Sequence, residues 1–351
     1  MMIEPEIEAF LAQRHGPGLS CAREPLSSAE SASGATLERI TVTNAAGQHA
    51  SYVVKRLSPL GDWIARATRD ERMREYQLAA SAIPGALPSA IGTAVAGATT
   101  LATGGAALIM RDVSDCLALP GDEPFSRGQT TRALEGLAQL HSTFYGFPAR
   151  LMSGLGLCSL GSWLTLLAPA TGRREANPAP GSVPSLLVSG WATFATQEPA
   201  AWRLLGPLLD DPGPVVTALR ECPDTFIHGD PKAGNLVFED GQVVLLDWAL
   251  SARAPGAIDL GWFLAVNSAK LPMPREEAIE TYRAERERLR RLPSQGQQWE
   301  RELALGLLAG TLRLGWAKAL GAASGDPKIR ERERAEVAWW ADAAIRAQRW
   351  L

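Results

Sequence analysis

Residues 228–235 read His-Gly-Asp-Pro-Lys-Ala-Gly-Asn, and residues 245–248 read Leu-Leu-Asp-Trp. Two short apolar runs separate these segments, and the turn sequence Glu-Asp-Gly at 239–241 joins the runs. This arrangement predicts a β-hairpin. Because Asn235 and Asp247 flank the two strands of that hairpin, we expect their side chains to face the same side of it.

The pattern combines three side chains whose chemistry suits phosphoryl transfer. A carboxylate on a tight loop, such as Asp230, can accept the proton of an attacking hydroxyl. An amide and a second carboxylate, from Asn235 and Asp247, offer hard oxygen ligands to Mg²⁺, which keeps several waters and uses only one or two protein carboxylates. The spacing therefore predicts a site for phosphoryl transfer to a hydroxyl group.

This run resembles the catalytic and metal-binding loops of the aminoglycoside phosphotransferase and choline kinase family, which shares the protein-kinase-like fold. The likeness covers His-Gly-Asp-x-x-x-x-Asn and the later Asp-Trp. It implies an α+β, bilobal fold with a small β-rich N-terminal lobe and a larger, mainly helical C-terminal lobe. It also implies transfer of the γ-phosphate of ATP, with Mg²⁺, to a hydroxyl of a small molecule such as an antibiotic, a sugar or an amino alcohol. GTP stays open as the alternative donor.

The resemblance assigns roles within the loop. Asp230 would be the catalytic base, and Asn235 and Asp247 would be magnesium ligands. Lys232 lies where protein kinases commonly carry a lysine that meets the transferred phosphate; a solvated loop lysine is the alternative. His228 would orient the loop, or would simply be a packed core histidine.

Asp259 matches a family aspartate that begins the next helix. One interpretation is an N-terminal helix cap. The other, which we favour, is a structural side chain that steadies the catalytic loop. Neither interpretation gives Asp259 a part in the chemistry itself.

The first lobe must supply a lysine for the phosphates. The chain has 5 Lys against 30 Arg, so a lysine inside a motif is informative. Lys55 ends a predicted strand, as the resemblance requires, and would contact the α- and β-phosphates. Its acidic partner should be Glu75 on the following helix, with Glu71, one turn earlier, as the competitor.

The nucleotide loop should lie between the first two strands, within residues 27–34. This segment holds one glycine rather than a Gly-x-Gly-x-x-Gly motif, so Ser side chains or backbone amides would cover the phosphates. The adenine should sit against the connection between the lobes. The candidate nucleotide contacts are Ser31, Ser33 and Gly34 in the loop and Met110 and Val113 in the connection.

The order of predicted elements gives the lobe boundary. Strands are expected at 20–26, 37–43, 51–57 and 99–111, with a helix at 62–82. After residue 126 the pattern is mainly helical, with an exposed loop at 168–185 and the hairpin described above. We therefore predict a nucleotide-binding lobe at 1–110 and a catalytic and substrate-binding lobe at 111–351.

Composition argues against several other classes of protein. The 351 residues carry a net charge of −3, so no bulk positive field draws nucleic acid or an anionic membrane. Residues 1–6 lack the basic start of a signal peptide, and the four cysteines form no Cys-x-x-Cys motif. Residues 76–110 hold no charge, but their prolines and glycines favour buried strands over a membrane helix. We expect a cytoplasmic protein with a small-molecule partner; the oligomeric state stays open.

Charge and aromatic content bear on the acceptor. Residues 251–351 hold 17 Lys/Arg against 13 Asp/Glu, whereas a polycationic aminoglycoside would favour an acidic cleft. Ten of the eleven tryptophans follow Met110. Their rings suit sugar faces and cations, although core packing is the commoner use of Trp on helices.

Two other functions compete with a small-molecule kinase. A protein kinase would carry His-Arg-Asp rather than His-Gly-Asp, and Phe-Gly rather than Trp-Ala after Asp247. A catalytically silent nucleotide-binding protein would usually have lost one of the four site residues, and Lys55, Asp230, Asn235 and Asp247 are all present.

Overall fold

The computed structural model describes residues 3–26, 35–118, 123–146, 149–152, 154–175, 179–290 and 296–351. Extended structure dominates the first part of the chain and helices dominate the second. This agrees with the predicted α+β, two-lobed architecture.

An antiparallel sheet in the order β1-β2-β3-β6-β5 forms the first lobe. Alternate side chains of the strands, among them Ile40, Val54 and Ile109, point to one face, where Ile7 and Leu11 of the first helix cover them. The predicted strands are present, the last as a strand pair. The elements of this lobe are α1 (Pro5–His15), β1 (Ser20–Leu26), β2 (Thr36–Thr43), β3 (His49–Leu57), α2 (Trp63–Ala67), α3 (Arg74–Ala79), α4 (Ile83–Ala86), β4 (Ile91–Gly92), β5 (Val95–Thr100) and β6 (Ala106–Arg111).

The single helix expected at 62–82 is wrong, because the chain breaks between α2 and α3. Arg69, in the break, has a positive φ of 54°. The N-cap residue of α3, Met73, also has a positive φ of 55° and makes no side-chain cap. Both carboxylate oxygens of Asp70 accept the N–H of Arg74, the first residue of α3, at 2.9 Å, so the chain turns before the second helix begins. The new helix packs against β5, β6 and the 3₁₀ turn Trp248–Leu250.

Helices build the second lobe around two short sheets. The chain enters it at the 3₁₀ turn Ser114–Cys116. The elements that follow are α5 (Arg127–Thr143), α6 (Ala149–Met152), α7 (Leu160–Thr165), α8 (Pro169–Arg174), α9 (Val183–Gln197), α10 (Pro199–Asp210), α11 (Gly213–Arg220), β7 (Thr225–Ile227), β8 (Leu236–Glu239), β9 (Gln242–Leu245), β10 (Ala252–Ala254), α12 (Ala257–Val266), α13 (Arg275–Arg290), α14 (Gly296–Ala322) and α15 (Pro327–Ala347). Further 3₁₀ turns are Ala233–Asn235, Trp248–Leu250, Ser268–Lys270 and Gln348–Trp350.

The exposed loop expected at 168–185 is wrong in part. The helix α8 and the start of α9 lie in it, each with a proline in its first turn, where the missing N–H costs nothing. Thr171 and Pro184 are buried, and the Thr171 hydroxyl donates a hydrogen bond to the Thr165 carbonyl at 3.0 Å. The proline and glycine content therefore marks helix ends as well as the exposed turn at 179–181, and residues 176–178 lie outside the described residues.

The hairpin β8–β9 confirms the predicted turn at 239–241. Asp240 and Gly241 both have positive φ, 47° and 78°, as a tight two-residue connection requires. Leu236 pairs with Leu245, so the open end of the hairpin lies next to both Asn235 and Leu246. The strand β4, from the first part of the chain, adds to β9 in parallel and so joins the hairpin to the first lobe.

The helix α14 runs through the second lobe and packs against α12. It approaches α12 so closely that a Cβ on Gly261 would lie 2.1 Å from the Gly306 carbonyl oxygen, and one on Gly306 would lie 2.2 Å from that of Ala257. Among the described residues, α14 alone is long and apolar enough to cross a membrane. Since 72% of its apolar window is buried within the protein, it matches the central helix of a globular core.

Candidate active site

Lys55, at the end of β3, joins the two lobes through a pair of carboxylates. Its Nζ lies 2.6 Å from Oε2 of Glu75 in α3 and 2.9 Å from Oδ1 of Asp247 beyond the hairpin. The competing residue Glu71 is exposed in the break before α3. The predicted pairing of Lys55 with Glu75 is therefore the one that the structure contains, and Asp247 shares the same ammonium.

The electrostatics of this triad depend on burial and on the shared lysine. Burial acts to lower the pKa of Lys55, but the Asp247 and Glu75 carboxylates outweigh it, so that pKa is raised. Burial raises the pKa of Glu75 to about 7, even with Lys55 opposing the rise. Burial acts on Asp247 in the same direction, but Lys55 and Lys232 lower its pKa to about 2. Asp247 therefore stays ionised, which suits a metal ligand.

Arg74, next to Glu75, connects α3 to the second lobe and was not singled out from the sequence. Its guanidinium is buried and donates from Nε to the Gly156 carbonyl at 2.7 Å and from Nη1 to the Ala249 carbonyl. Ala249 lies two residues after Asp247. The contact therefore holds the Glu75 helix against the Asp247 segment.

Asp259, in the first turn of α12, holds the catalytic loop. Its fully buried carboxylate accepts the backbone N–H groups of His228 and Gly229, each at 2.8 Å. It also lies 3.1 Å from Nε2 of His141, whose Nδ1 contacts the Tyr282 hydroxyl. Since its side chain makes no helix-capping hydrogen bond, the steadying role is confirmed and the cap interpretation is wrong.

His228 is both buried and orienting. Its Nε2 donates to the Leu246 carbonyl at 3.0 Å, and its Nδ1 accepts the Asp230 N–H at 3.2 Å, which requires a neutral ring. Burial lowers the pKa of His228, in agreement with that state. The ring thus ties the catalytic loop to the segment that carries Asp247.

Asn267, at the end of α12, supports the other half of the loop. Its amide oxygen accepts the Ala233 N–H at 2.8 Å, and its Nδ2 donates to the Pro231 carbonyl at 3.0 Å. The side chain is 1% exposed. The loop on either side of Asp230 is therefore fixed by buried groups that lie outside the motif.

Asp230 has a donor on each carboxylate oxygen. Trp262 donates from Nε1 to Oδ1 at 2.7 Å, and Asn235 donates from Nδ2 to Oδ2 at 3.1 Å. Nζ of Lys232 lies 3.7 Å from Oδ2. The carboxylate is held in one orientation, which is what a positioned proton acceptor needs.

Magnesium fits the donors at the open end of the hairpin. Because Asn235 donates from Nδ2 to the backbone carbonyl and the carboxylate of Asp230, its amide oxygen is the side-chain atom that could bind a metal. The Leu246 N–H donates to the Asn235 carbonyl at 2.9 Å, which brings Asp247 close, and Asp247 itself has a positive φ of 60°. The described residues contain no group of three His, Cys, Asp or Glu able to hold a metal. Two oxygen ligands match Mg²⁺ bound through phosphates, rather than a cage made by protein alone.

A cleft of about 500 Å³ opens beside the triad. Its lining includes the carboxylates of Glu75 and Asp247 and the apolar side chains of Leu108, Met110 and Leu246. Val113 is not part of this lining. It is buried in a small apolar cluster with Ala94, Val237 and Val244. Ser31, Ser33 and Gly34, the predicted loop contacts, lie outside the described residues.

The sequence carried few signals for the supporting residues. Arg74 stands next to a predicted site residue, and Asn267 and Trp262 follow Asp259 on one helix. These sequence positions indicate that the side chains are near the site, but they do not indicate what each side chain does. The site partners of these side chains lie 32 to 175 positions away along the chain, as the contacts to Asp230 and Ala249 illustrate.

The chain is similar to a known enzyme family and to several solved structures. Residues 30–292 match the model of a phosphotransferase enzyme family. The structure of a spectinomycin phosphotransferase in complex with ADP and spectinomycin has a TM-score of 0.50 at 12% identity, covering 100% of this chain and 99% of that chain. A choline kinase from Cryptosporidium parvum has a TM-score of 0.52 at 11% identity, covering 99% and 97%. Curated protein sequences gave no match. At these identities the structural likeness shows the fold alone, which is the one that the sequence predicted.

Proposed function

Because the chain belongs to the phosphotransferase enzyme family and is thereby a small-molecule kinase, we propose that it transfers the γ-phosphate of ATP to a hydroxyl group of its acceptor in a Mg²⁺-dependent reaction. The observation that carries the proposal is the contact of Lys55 with Glu75 and Asp247 across the lobes, beside a fixed Asp230. The first lobe, residues 1–110, would bind the nucleotide, and residues 111–351 would bind the acceptor.

The mixed lining of the cleft supports a bound nucleotide. Met110 and Leu108 offer an apolar surface to adenine, and Lys55, which contacts the lining residues Glu75 and Asp247, would offer a positive charge to the phosphates. GTP would face the same surface. Lys55 would exchange its contact with Asp247 for the α- and β-phosphates, while Glu75 keeps the ammonium in place.

The proton path starts at the acceptor hydroxyl. Its O–H donates to the Asp230 carboxylate, its oxygen forms the new bond to the γ-phosphorus, and the bond between that phosphorus and the β,γ-bridging oxygen breaks. Trp262 and Asn235 keep the Asp230 oxygens aimed during this step. Lys232, 3.7 Å from Asp230, would stabilise the charge on the transferred group.

Asn235 and Asp247 would hold the metal. When bound, Mg²⁺ neutralises the triphosphate charge and aligns the γ-phosphate. The low pKa of Asp247 keeps its carboxylate ionised for that purpose. Asn235 would present its amide oxygen, since its nitrogen is committed to Asp230.

The experiment is a screen of ADP release with Mg-ATP against aminoglycosides, macrolides, sugars, choline and nucleosides. The wild-type protein should turn over at least one hydroxyl-bearing compound, and Asp230→Asn should lower kcat by about 10²–10⁴-fold. Asp240→Asn is the matched control, because Asp240 is exposed at the hairpin turn, where Asn tolerates the positive φ. Normal turnover by Asp230→Asn would remove the assigned base.

A further inference from the structure

Arg313 of α14 lies directly behind the catalytic loop, between two indole rings. Its Cζ is 4.3 Å from the centroid of the Trp163 ring and 4.5 Å from that of Trp262. Trp163 donates from Nε1 to the Gly229 carbonyl at 2.9 Å, and Trp262 donates to Asp230 at 2.7 Å. The two rings that enclose the guanidinium therefore bond to consecutive residues of the loop, and one indole separates the guanidinium from the base.

This guanidinium is poorly satisfied compared with the other buried arginines of the described chain. Arg286 is 4% exposed and forms a bidentate pair with Glu302 at 2.9 and 2.6 Å. Arg74 is 2% exposed and donates to two carbonyl groups. Arg313 is 2% exposed, its Nη1 donates to the Trp163 carbonyl at 3.1 Å, and its buried Nε has no acceptor.

The energetics of this arrangement call for an anion. Taking a charged group out of water costs several kcal/mol, and a cation–π contact returns about 0.5–2 kcal/mol. Burial lowers the pKa of Arg313 to about 10 even though Asp230 opposes the shift. No described carboxylate lies within ion-pair distance of Arg313. A buried donor without an acceptor in a native structure requires an explanation, and an anion bound there is one.

On the basis of the proposed function, we infer that the acceptor alcohol carries an anionic group, a carboxylate or a phosphate, which Arg313 binds while the hydroxyl lies at Asp230. A guanidinium offers a planar fork that matches both anions. The indoles of Trp163 and Trp262 hold the guanidinium in place for this contact. The phosphoryl transfer itself is unchanged.

The same feature disfavours cationic acceptors. A ligand cation would stack between two indoles of this kind, but the protein's own guanidinium already fills the space. Lys232 adds a second positive charge beside Asp230. Choline-like and aminoglycoside-like compounds would meet like charge at both places.

The test compares four sets of compounds with matched chains of about three to six carbons: hydroxy carboxylic acids, hydroxyalkyl phosphates, diols and amino alcohols. ADP release gives kcat/KM, and calorimetric titration gives binding without the need for turnover. We expect at least a tenfold preference for one or both anionic sets over the amino alcohols. The arm with the higher kcat/KM identifies the anion as carboxylate or phosphate.

Three variants assign the preference to Arg313. Arg313→Gln should abolish it, and Arg313→Lys, which keeps the charge, should retain it in part. Arg349→Gln should leave it intact, because Arg349 also stacks on a tryptophan, at 4.8 Å from Trp350, but is exposed. Thermal unfolding of each variant checks that it is folded. Should Arg313→Gln fail to fold, the titration of Arg313→Lys decides whether Arg313 binds the anion: a partial loss of the preference supports the inference, and an unchanged preference contradicts it.

Several outcomes would overturn the inference. They are equal or better use of amino alcohols by the wild type, an unchanged preference in a folded Arg313→Gln variant, or no binding of either anionic set. Failure of the proposed function is distinguishable, because anions would then bind through Arg313 while no compound released ADP. If the preference for anionic acceptors is unchanged in both Arg313 variants, Arg313 has only a structural role.

Discussion

The two sides of the cleft are held together by different kinds of contact. On the proposed nucleotide side, Lys55 forms ion pairs with Glu75 and Asp247, through side chains that come from both lobes. On the catalytic side, the loop around Asp230 is fixed by hydrogen bonds from its own backbone to Asp259 and other buried groups of the second lobe.

Because of this difference, a ligand can rearrange the contacts of Lys55, whereas it meets a catalytic loop that is already in its final shape. Asp247 has a side chain that is 36% exposed, so its contact with Lys55 can be exchanged for a phosphate or a metal. Asp259 is fully buried and accepts two backbone N–H groups, so the loop keeps its shape with or without a ligand. We expect substitutions on the first side to affect ligand binding and turnover, and substitutions on the second to affect stability as well.

The largest effect should come from Lys55→Met. Loss of the ammonium that we propose binds the phosphates should lower kcat/KM by about 10²–10³-fold. Stability at pH 7 should fall by no more than about 1 kcal/mol, since Glu75, with its raised pKa, can take up a proton in place of its lost partner. Steady-state kinetics and urea unfolding measure the two effects.

The control for this variant is Lys328→Met, an exposed lysine in the first turn of α15. It should match the wild type in both assays. If Lys55→Met lowered the free energy of unfolding as much as Asp259→Ala does, the Lys55 side of the cleft would stabilise the fold as the catalytic loop does. The two sides would then not differ in the way described above.

Asp259→Ala should destabilise the fold by about 3 kcal/mol. The substitution leaves the His228 and Gly229 N–H groups buried without their acceptor, and each such loss costs about 1–3 kcal/mol. Urea unfolding measures the loss. Asp342→Ala, on an exposed i,i+4 pair with Arg346, should change stability by less than about 0.5 kcal/mol. Similar values for the two variants would show that the loop does not depend on Asp259.

The smallest effect concerns His228 and pH. Because burial lowers its pKa in the folded state, the unfolded chain binds more protons below about pH 6.5, and stability falls as the pH drops. His228→Gln should remove up to about 1.4 kcal/mol per pH unit of that slope between pH 7 and 5. Urea unfolding at several pH values measures it, with His49→Gln on an exposed strand position as the control. A slope unchanged by His228→Gln would mean that the pKa of the ring is the same in the folded and unfolded states.

Local patterns carried most of what the sequence predicted. The hairpin at 236–245 could be predicted because its strands and turn are adjacent in the chain, and Asp230 and Asn235 share one loop. The pairing of Lys55 with Glu75 followed from the family resemblance. The structure brings together the three motif residues Asp230, Asn235 and Asp247. Their roles in the reaction remain proposals.

Features that depend on distant parts of the chain could not be predicted. The break in the helix at 62–82 occurs where Arg69 and Met73 have positive φ and Asp70 accepts the N–H of Arg74, and helix propensity alone does not indicate that break. The Trp262 contact with Asp230 and the enclosure of Arg313 depend on how closely α14 approaches α12. That approach rests on two glycines whose role is visible only once both helices are packed.

The central claim is that Asp247 holds a metal and triphosphate beside an Asp230 that acts only in chemistry. The most direct measurement is calorimetric titration of a non-hydrolysable ATP analogue, with and without Mg²⁺, into the wild type, Asp247→Asn and Asp230→Asn. We predict that Mg²⁺ strengthens binding at least tenfold in the wild type and in Asp230→Asn, and that Asp247→Asn loses this dependence. Equal binding with and without Mg²⁺ in the wild type, or an unchanged dependence in Asp247→Asn, would contradict the claim.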